Sequence, residues 1–478
     1  MLRRTKIVAT VGPATDDPAV LTEMVHEGLD VARLNASHGT RDDHRRRLAL
    51  LREVAQKADK SIGVLLDLGG PKIRIECFQG GKIVLDEGKP FVLDTMFDAK
   101  AGTVDCVGVA YKNLPRDVVP GDTLLLADGQ IALSVESVSP TRVTTRVKVG
   151  GELSDRKGLN RQGGGISAPA LSDKDRDDIR FAAEVGIDYI AVSFARTAND
   201  IEQARALARK SNSDARILAK IERQEAVLNL AEIAEAADAV MVARGDLGVE
   251  MGYAELTGLQ KTIIHESRAR NRVVITATQM MESMIHSPMP TRAEVSDVSN
   301  AVMDGTDAVM LSAETATGRY PIKAIQAMAQ VIEGAEKYVL RHDRVRHRVE
   351  GQFKSQEEAI AMAVMYTANH MKVRAIVALT ESGATPLWMS RIRSDIPIYA
   401  FTRHEVTRRR VTLYRGVYPV VYDVPAAEST QELYHSIFAR LLELSLVERG
   451  DLVILTKGEL SGIEGGTNSL QILKVALD

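Results

Sequence analysis

The stretch RILAKIERQEAVLNLAEIAEAADAVMVARGDLGVE, residues 216–250, decides the fold. It opens with a short apolar run, RILAKIE, and closes with a second one, DAVMVARGDLG, and both have the length and composition of a buried strand. Between them, AVLNLAEIAEAA carries apolar residues at three- and four-residue steps, which predicts a helix. Strand, helix and strand in this order predict a βαβ unit with parallel strands.

Charged side chains stand at the ends of both predicted strands. Lys220 and Glu222 are two residues apart and therefore share one face of the first strand, and Asp246 ends the second run. Because parallel strands of a βαβ unit have their carboxyl ends on one side, we expect the three side chains to converge. One cation beside two carboxylates suits a hard divalent metal next to an anionic substrate. A salt bridge at a strand end is the alternative that this stretch alone leaves open.

Length and composition limit the classes of protein. A chain of 478 residues is too long for one ordinary core and predicts two or three domains. A net charge of −3 and 4% aromatic residues argue against a nucleic-acid-binding surface. Cys77 and Cys106 lack metal-ligand spacing and are expected to be reduced thiols. The absence of a signal peptide and of a membrane span in the sequence predicts a cytoplasmic protein that binds no membrane.

Strand and helix patterns alternate on both sides of the quoted stretch. The other apolar runs are KIVATVG, VARLNAS, IGVLLDLGG and YIAVSF before it, and RVVITATQM and AVMLSAET after it. The eight β/α units predict an α/β fold, a closed (β/α)8 TIM barrel formed by residues 1–70 and 170–344. In such a barrel the catalytic mouth lies at the carboxyl ends of the strands. The polar residues at those ends are Arg33, Asn35, Asp67, Ser193, Lys220, Glu222, Asp246, Thr278 and Glu314.

Two segments break the barrel pattern. Residues 71–169 contain short alternating runs separated by Gly, Asp and Pro, which predict an antiparallel all-β domain inserted into the barrel as a lid. Residues 345–478 return to alternating helices and strands, including VRAIVALT, IPIYAFT and DLVILTKG, and predict a separate C-terminal open α/β domain.

Several longer motifs resemble those of the pyruvate kinase family. They are KIVATVGPAT, VARLNASHG, LLDLGGPKIR, DYIAVSF, KIER, ARGDLG, TATQMMESM, PTRAEVSDVSNAVMDGTDAVMLSAETATGRYP, ESGATP and TNSLQI, and they follow the family order from Thr5 to the C-terminus. The resemblance implies a barrel, a β lid and a C-terminal regulatory domain. It also implies transfer of a phosphoryl group from phosphoenolpyruvate to ADP, giving pyruvate and ATP, with Mg²⁺ or Mn²⁺, in a homotetramer.

The resemblance also implies roles for individual residues. Lys220 is similar to the lysine that stabilises the transferring phosphoryl group, and Glu222 and Asp246 to the ligands of the divalent metal. Arg33 resembles the arginine that contacts the phosphate, and Thr278 the residue that delivers a proton, which we expect to pass through ordered water. The remaining residues lie in motifs that match the family. Those expected to line the mouth are Asn35, Ser37, Asp67 and Ser193, and those expected to bind the substrate carboxylate are Ala243, Arg244, Gly245 and Asp246. The resemblance assigns Arg74 to catalysis and nucleotide binding, and it places Lys157 and His38 near the nucleotide.

Simpler explanations compete with some of these roles. Asn35 and Ser37 could cap the following helix, and His38 could be an ordinary packed or solvated histidine. Two other classes of protein are also compatible with parts of the pattern. A metal-dependent aldolase or lyase would share Glu222 and Asp246 but has no use for the β lid or Lys157. A catalytically silent effector-binding protein would be expected to have lost Lys220 or the metal ligands, and these are intact.

The third strand departs from the usual family pattern. Many members have LDTKGPEIR and need K⁺ as well as Mg²⁺, whereas this chain has LDLGGPKIR. Leu68 replaces a threonine whose hydroxyl helps to bind K⁺, and Lys72 replaces a glutamate close to that ion. Because an ammonium group can stand in for K⁺, we expect Lys72 to supply the cation and the enzyme to work without K⁺. The alternative is that Lys72 is a solvated surface residue.

A turn in the C-terminal domain is a candidate effector site. It follows a strand and precedes a helix, so that its backbone N–H groups and hydroxyls can face an anion. In the family this turn binds sugar-phosphate effectors. Glu381 would repel a phosphate, so we expect a singly phosphorylated sugar or a nucleotide in preference to a bisphosphate; an inert turn is the alternative. The turn comprises Thr380, Glu381, Ser382, Gly383, Ala384 and Thr385.

Overall fold

The computed structural model describes residues 2–342, 353, 355–423, 429–458 and 466–476. The chain begins with three strands that are buried almost throughout, as expected for β-branched and apolar runs. The elements are β1 (Lys6–Thr10), a 3-10 helix (Pro13–Thr15), α1 (Pro18–His26), β2 (Val31–Asn35), α2 (Arg41–Lys57) and β3 (Gly63–Asp67).

An all-β segment then interrupts the alternation. Its elements are β4 (Lys82–Leu85), β5 (Pro90–Asp94), β6 (Cys106–Gly108), α3 (Leu114–Asp117), β7 (Thr123–Leu126), β8 (Ile131–Val138), β9 (Arg142–Val149), β10 (Gly151–Ser154) and β11 (Leu159–Arg161). They form a two-stranded sheet, β10-β4, and a six-stranded sheet, β11-β7-β8-β9-β5-β6, around their own apolar core. The pairing is antiparallel as predicted, except that β5 and β6 are parallel.

The α/β alternation resumes after this insert. The elements are α4 (Asp173–Val185), β12 (Tyr189–Val192), α5 (Ala198–Lys210), β13 (Arg216–Ile221), α6 (Gln224–Leu228), α7 (Leu230–Ala236), β14 (Ala239–Ala243), α8 (Arg244–Met251), α9 (Tyr253–Ala269), β15 (Val273–Ala277), a 3-10 helix (Glu282–Ile285), α10 (Arg292–Asp304), β16 (Ala308–Leu311), α11 (Ala313–Ala316) and α12 (Pro321–His342). The helix predicted inside the quoted stretch is in fact two, α6 and α7. The break is at Asn229, whose side-chain amide donates to the carbonyl of Arg196 (2.9 Å).

Eight parallel strands close into a barrel, which confirms the predicted architecture. Their order is β1-β16-β15-β14-β13-β12-β3-β2, so every strand has two neighbours and no edge is exposed. The insert leaves the barrel after the carboxyl end of β3. Gly70 makes this exit possible, because its φ is +64° and an added Cβ would lie 2.8 Å from the side chains of Ser193 and Phe194.

The C-terminal part is an open five-stranded sheet. Its elements are α13 (Gln356–His370), β17 (Ala375–Leu379), α14 (Ala384–Ser390), β18 (Ile398–Thr402), α15 (Glu405–Val411), β19 (Val417–Val421), α16 (Thr430–Glu443), β20 (Leu452–Gly458) and β21 (Thr467–Lys474). The strand order is β19-β18-β17-β20-β21, with β21 antiparallel at the edge. The sequence analysis did not predict β21. Helix α16 ends at Glu443, shortly before Ser445, which adopts a left-handed conformation. The predicted boundary at 344/345 lies outside the described residues.

The amino ends of the barrel strands pack on the C-terminal sheet. The Lys6 ammonium, at the start of β1, donates to the backbone carbonyl of Val417 (2.7 Å). The Tyr189 hydroxyl, at the start of β12, donates to the backbone carbonyl of Arg410 (2.8 Å). Apolar side chains of both parts share one buried cluster. The opposite face, where the strands end, is therefore the open mouth of the barrel.

Candidate active site

Lys220 is the centre of a buried charge cluster at the mouth. Its Nζ lies 2.7 Å from Glu222 Oε1 and 3.3 Å from Asp67 Oδ1, and it donates to Ser193 Oγ (2.7 Å). The side chain is 12% exposed. Burial would lower the pKa of Lys220, but the charges of Asp67 and Glu222 outweigh it and raise the pKa above the ordinary lysine value. The group is therefore a permanent cation at neutral pH.

Arg33 is held in the same cluster by the last residue of β3. Its Nε donates to Asp67 Oδ2 (2.8 Å), and its Nη1 donates to Thr10 Oγ1 (2.9 Å). Burial alone would raise the pKa of Asp67, but Lys220 and Arg33 hold it below its usual range. Thr10 was missed by the sequence analysis, although it ends β1 as the other mouth residues end their strands.

The segment after β12 fixes the orientation of Glu222. The backbone N–H of Phe194 donates to Glu222 Oε2 (2.8 Å), while Ser193 Oγ donates to the carbonyl of Leu68 (2.8 Å). Phe194 has a φ of +57°, an uncommon conformation for a bulky residue. A locally strained turn therefore directs a backbone N–H at one carboxylate oxygen of Glu222, while the other oxygen remains in contact with the Lys220 ammonium.

Thr278 lies on a second turn with left-handed residues. Its φ is +68° and that of Gln279 is +53°. The Thr278 hydroxyl donates to the carbonyl of Ala277 (2.6 Å) and accepts from the backbone N–H of Gly245 (2.9 Å). The first turn of α8 and the end of β15 are thus joined through this hydroxyl.

The side chain of Arg244 faces the protein and not the open mouth. Its Nη1 donates to Asp297 Oδ1 (2.6 Å), and its Nη2 donates to the carbonyl of Thr278 (2.7 Å). The Arg244 side chain is 7% exposed. Arg244 therefore supports the Thr278 turn. Asp297 was missed because it lies on α10, far from any strand end in the sequence.

Glu222 and Asp246 offer a donor set that fits a hard divalent cation. Burial and the negative charge of Asp246 raise the pKa of Glu222 above its usual range, against the opposing charge of Lys220. A cation between the two carboxylates would relieve this crowding. Among the described residues no group of three or more His, Cys, Asp or Glu could hold a metal, so the other ligands would be substrate oxygens and water, as Mg²⁺ prefers.

Lys72 reaches from the start of the insert to one of these carboxylates. Its Nζ lies 3.2 Å from Asp246 Oδ1 and 3.7 Å from Asp128 Oδ1, and the side chain is 28% exposed. Leu68 is buried in the main apolar core. A cationic group thus stands beside the predicted metal ligand, and position 68 presents no side-chain oxygen.

The loop after β2 carries the other predicted mouth residues. Asn35 Oδ1 accepts from the backbone N–H of Ser37 (3.1 Å), and Ser37 and His38 are exposed. The idea that Asn35 or Ser37 caps the next helix is wrong, because Thr40 is the N-cap of α2 and exchanges hydrogen bonds with Asp43.

Arg74 and Lys157 lie outside the buried cluster. Both are exposed, and Arg74 Nη1 donates to the carbonyl of Arg156 (2.9 Å) within the insert. Glu314 is buried, but its carboxylate accepts from the backbone N–H groups of Ser312 (2.7 Å) and Met281 (3.2 Å). Glu314 therefore stabilises a loop at the mouth and does not join the Lys220 cluster.

The predicted effector turn connects β17 with α14. Glu381 contacts the His404 side chain and lies 3.6 Å from Arg403, so the arginine partly offsets its charge. Gly383 has a φ of +85°, and its N–H donates to Thr380 Oγ1 (2.9 Å). Thr385 is buried and shares a hydrogen bond with Thr467 (2.7 Å), so its hydroxyl is already engaged.

In the described part of the chain, no helix is both long enough and apolar enough to span a membrane.

Comparison with known proteins gives two family matches. Residues 2–325 match the model of the pyruvate kinase barrel domain, and residues 358–473 match that of the pyruvate kinase alpha/beta domain. The two matches together span most of the chain and correspond to the barrel with its insert and to the open C-terminal sheet.

Full-length relatives agree with the family models. The chain is 52% identical to pyruvate kinase II of Salmonella typhimurium over 478 residues, which cover 99% of each chain. It is 51% identical to a pyruvate kinase of Haemophilus influenzae, with 96% of each chain covered. It is 41% identical to a pyruvate kinase of Geobacillus stearothermophilus over 99% of this chain and 80% of the relative. The chain therefore belongs to the pyruvate kinase family, and its enzyme activity is that of a pyruvate kinase.

Proposed function

We propose that the Lys220 cluster is the centre where a phosphoryl group passes from phosphoenolpyruvate to ADP. The observation that carries the proposal is a buried, permanently charged lysine between Asp67 and Glu222 at the carboxyl face of a closed barrel. Phosphoryl transfer depends mainly on positioning and on charge neutralisation. Lys220 and Arg33 provide two fixed cations for the phosphoryl oxygens, and neither has to move or gain a proton to act.

Glu222 and Asp246 would hold the divalent metal, Mg²⁺ or Mn²⁺, that the family uses. When bound, the ion would supply positive charge that offsets the negative charge of the substrate. Phe194 keeps one Glu222 oxygen in place through its backbone N–H. The first turn of α8, from Ala243 to Asp246, presents the amino end of a helix, which favours the carboxylate of phosphoenolpyruvate.

We propose that Thr278 delivers the proton that converts enolpyruvate to pyruvate. Its hydroxyl lies against Gly245 in the same turn that would bind the substrate carboxylate. A threonine hydroxyl is a weak acid, so ordered water between Thr278 and solvent would supply the proton. Asn35, Ser37 and Ser193 complete the wall of the mouth. Lys157, Arg74 and His38 are exposed basic groups that would contact the nucleotide when the insert approaches the barrel.

The test of the reaction is formation of ATP from phosphoenolpyruvate and ADP with Mg²⁺. We expect ATP and pyruvate in equal amounts, and loss of both when EDTA removes the metal. An aldolase or lyase would release pyruvate without consuming ADP, and a silent effector-binding protein would release none. Either outcome would contradict the proposal.

We infer that the enzyme does not require K⁺. Support comes from the buried, oxygen-free Leu68 side chain and from the Lys72 ammonium 3.2 Å from Asp246. With all K⁺ and Na⁺ replaced by a bulky quaternary ammonium salt at fixed ionic strength, we expect full activity. A large rise in activity on adding K⁺ would contradict this inference. The double change Leu68→Thr and Lys72→Glu should lower activity and make it at least partly K⁺-dependent.

We also propose that the turn from Thr380 to Thr385 binds a phosphorylated effector. The enzyme would be a homotetramer and would work in the cytoplasm. Arg403 beside Glu381 supplies positive charge. Because the Glu381 carboxylate repels phosphate, we expect a single phosphate on a sugar or nucleotide in preference to a bisphosphate. Sugar mono- and bisphosphates should be titrated against the saturation curve for phosphoenolpyruvate. Unchanged saturation curves for all of these compounds would refute the effector site. The molar mass measured by light scattering tests whether the enzyme is a tetramer.

A further inference from the structure

A small cavity rich in arginine lies where the amino end of the barrel meets the C-terminal sheet. Its volume is about 70 Å³, enough for several water molecules or one tetrahedral oxyanion. Its apolar wall includes Met365 and Ile392. The charged residues that line it among the described residues are Arg4, Arg268, Arg393, Arg415 and Asp395.

Arg415 has a buried donor without a partner in this cavity. The side chain is 10% exposed, and its Nη1 has no hydrogen bond. The nearest carboxylate contact is 3.9 Å, from Nη2 to Glu336 Oε1, which is too long for a hydrogen bond. Because a buried, unsatisfied charged donor is costly, native proteins normally provide it with an acceptor.

Neither buried acid nearby can serve as that acceptor. The Glu336 carboxylate accepts from the backbone N–H groups of Arg4 (3.0 Å) and Thr5 (2.7 Å) and from the Thr5 hydroxyl (2.8 Å). Asp307 Oδ2 accepts from Arg391 Nη1 (2.9 Å) and from the backbone N–H of Val274 (2.9 Å). Both carboxylates are committed to other groups.

Arginines are crowded around the cavity. Among the described residues, five arginines lie in or directly beside it. Burial and the neighbouring Arg391 lower the pKa of Arg268 to about 9, which shows how closely the positive charges are placed. The five arginines are Arg4, Arg268, Arg391, Arg393 and Arg415.

We propose that this cavity binds inorganic phosphate as a structural anion that joins the barrel to the C-terminal sheet. Guanidinium groups suit a tetrahedral oxyanion because their planar donors match its oxygens. Arg268 comes from the barrel and Arg415 from the C-terminal part, so one phosphate would tie the two together. A volume of about 70 Å³ suits a single ion better than a sugar or a nucleoside.

This site is distinct from both sites described above. Arg415 precedes β19 and Ile396 precedes β18, so the cavity lies at the amino ends of the C-terminal strands. The effector turn follows the carboxyl end of β17, at the opposite edge of the same sheet. The active-site mouth lies at the far end of the barrel.

The test counts phosphate ions bound per chain by equilibrium dialysis with labelled phosphate at fixed ionic strength. Phosphate can also occupy the mouth and the effector turn, so the informative quantity is the difference between variants. We expect Arg415→Met to bind one phosphate fewer per chain than the wild type. Arg180→Met, which changes an exposed arginine on α4, should bind as many as the wild type. Equal counts in all three proteins would overturn the proposal.

Thermal unfolding gives a second readout. Phosphate should raise the midpoint by several degrees more in the wild type than in Arg415→Met, because a ligand of the folded state stabilises it. General salting effects are common to both proteins and cancel in this comparison. Should Arg415→Met fail to fold, Ile392→Phe fills the cavity while keeping every arginine and should show the same loss. An equal phosphate effect in the wild type and Ile392→Phe, or a wild type without a saturable site, would overturn the proposal.

Discussion

At the scale of single residues, the buried charges at the mouth depend on one another. Lys220 neutralises Asp67 and Glu222, and these acids keep the lysine charged. Removing one partner leaves the others uncompensated, which is costly in a buried site. The two-residue spacing of Lys220 and Glu222 was enough to predict that they share a face. The contact between Lys72 and Asp246 was not predictable from any local pattern, because it joins residues 174 positions apart.

Glu222, which we propose as a metal ligand, gives the first prediction. Glu222→Ala removes one of two carboxylates, so Asp246 alone would face an anionic substrate across a weakly held cation. We expect turnover to fall by about 100-fold or more, as for other losses of charge stabilisation in active sites. The circular dichroism spectrum should not change. Glu235→Ala, at an exposed position on α7, is the control. Near-normal turnover at ordinary Mg²⁺ would show that Glu222 is not a ligand.

At the scale of elements, the start of α8 and the turn after β15 form one unit. From the sequence, residues 243–246 were expected beside the substrate carboxylate, and α8 begins within this segment, at Arg244. The sequence did not predict that the Arg244 side chain would contact Asp297 and support the left-handed Thr278. Such a link depends on how α10 packs against its neighbours, which no periodicity in either segment records.

Asp297 should therefore matter for catalysis although it is not expected to touch the substrate. Asp297→Ala frees the guanidinium of Arg244 and loosens the Thr278 turn. We expect turnover to fall roughly tenfold, because small misplacements of reacting groups reduce rates strongly. KM for ADP should stay the same, and Asp297→Asn should recover part of the loss. Unchanged turnover in Asp297→Ala would mean that the turn is held by other contacts.

At the scale of the whole molecule, the sequence predicted the barrel, the β insert and the open sheet because each has a distinct pattern of apolar residues. Long buried runs, such as Ala239–Ala243, identify barrel strands by themselves. What it could not predict is how the parts meet. The contacts of Lys6 with Val417 and of Arg391 with Asp307 join segments that are far apart in the chain. The edge strand β21 was missed because its residues are mostly half-exposed and lack a clear alternation.

Lys6 at this interface gives a prediction about pH. Burial lowers its pKa to about 8 despite Asp30, whereas the unfolded chain keeps the ordinary value near 10.5. Below pH 8 the buried charge costs stability, and the cost disappears between pH 8 and about 10.5 as the folded state loses its proton first. The free energy of unfolding of the wild type, relative to Lys6→Met, should therefore rise across this window by at most about 1.4 kcal/mol per pH unit. Parallel denaturant-unfolding profiles at pH 7, 8 and 9 would contradict this.

The central claim is that Lys220 supplies the fixed charge for phosphoryl transfer, and one measurement tests it most directly. Rapid-quench assays should follow ATP formation from bound phosphoenolpyruvate and ADP in a single turnover with saturating Mg²⁺. We predict that Lys220→Met slows this step by about 1,000-fold or more, while Lys210→Met, an exposed lysine on α5, leaves it unchanged. Folding of both variants is checked by circular dichroism. A folded Lys220→Met enzyme that forms ATP at a rate within tenfold of the wild type would contradict the claim.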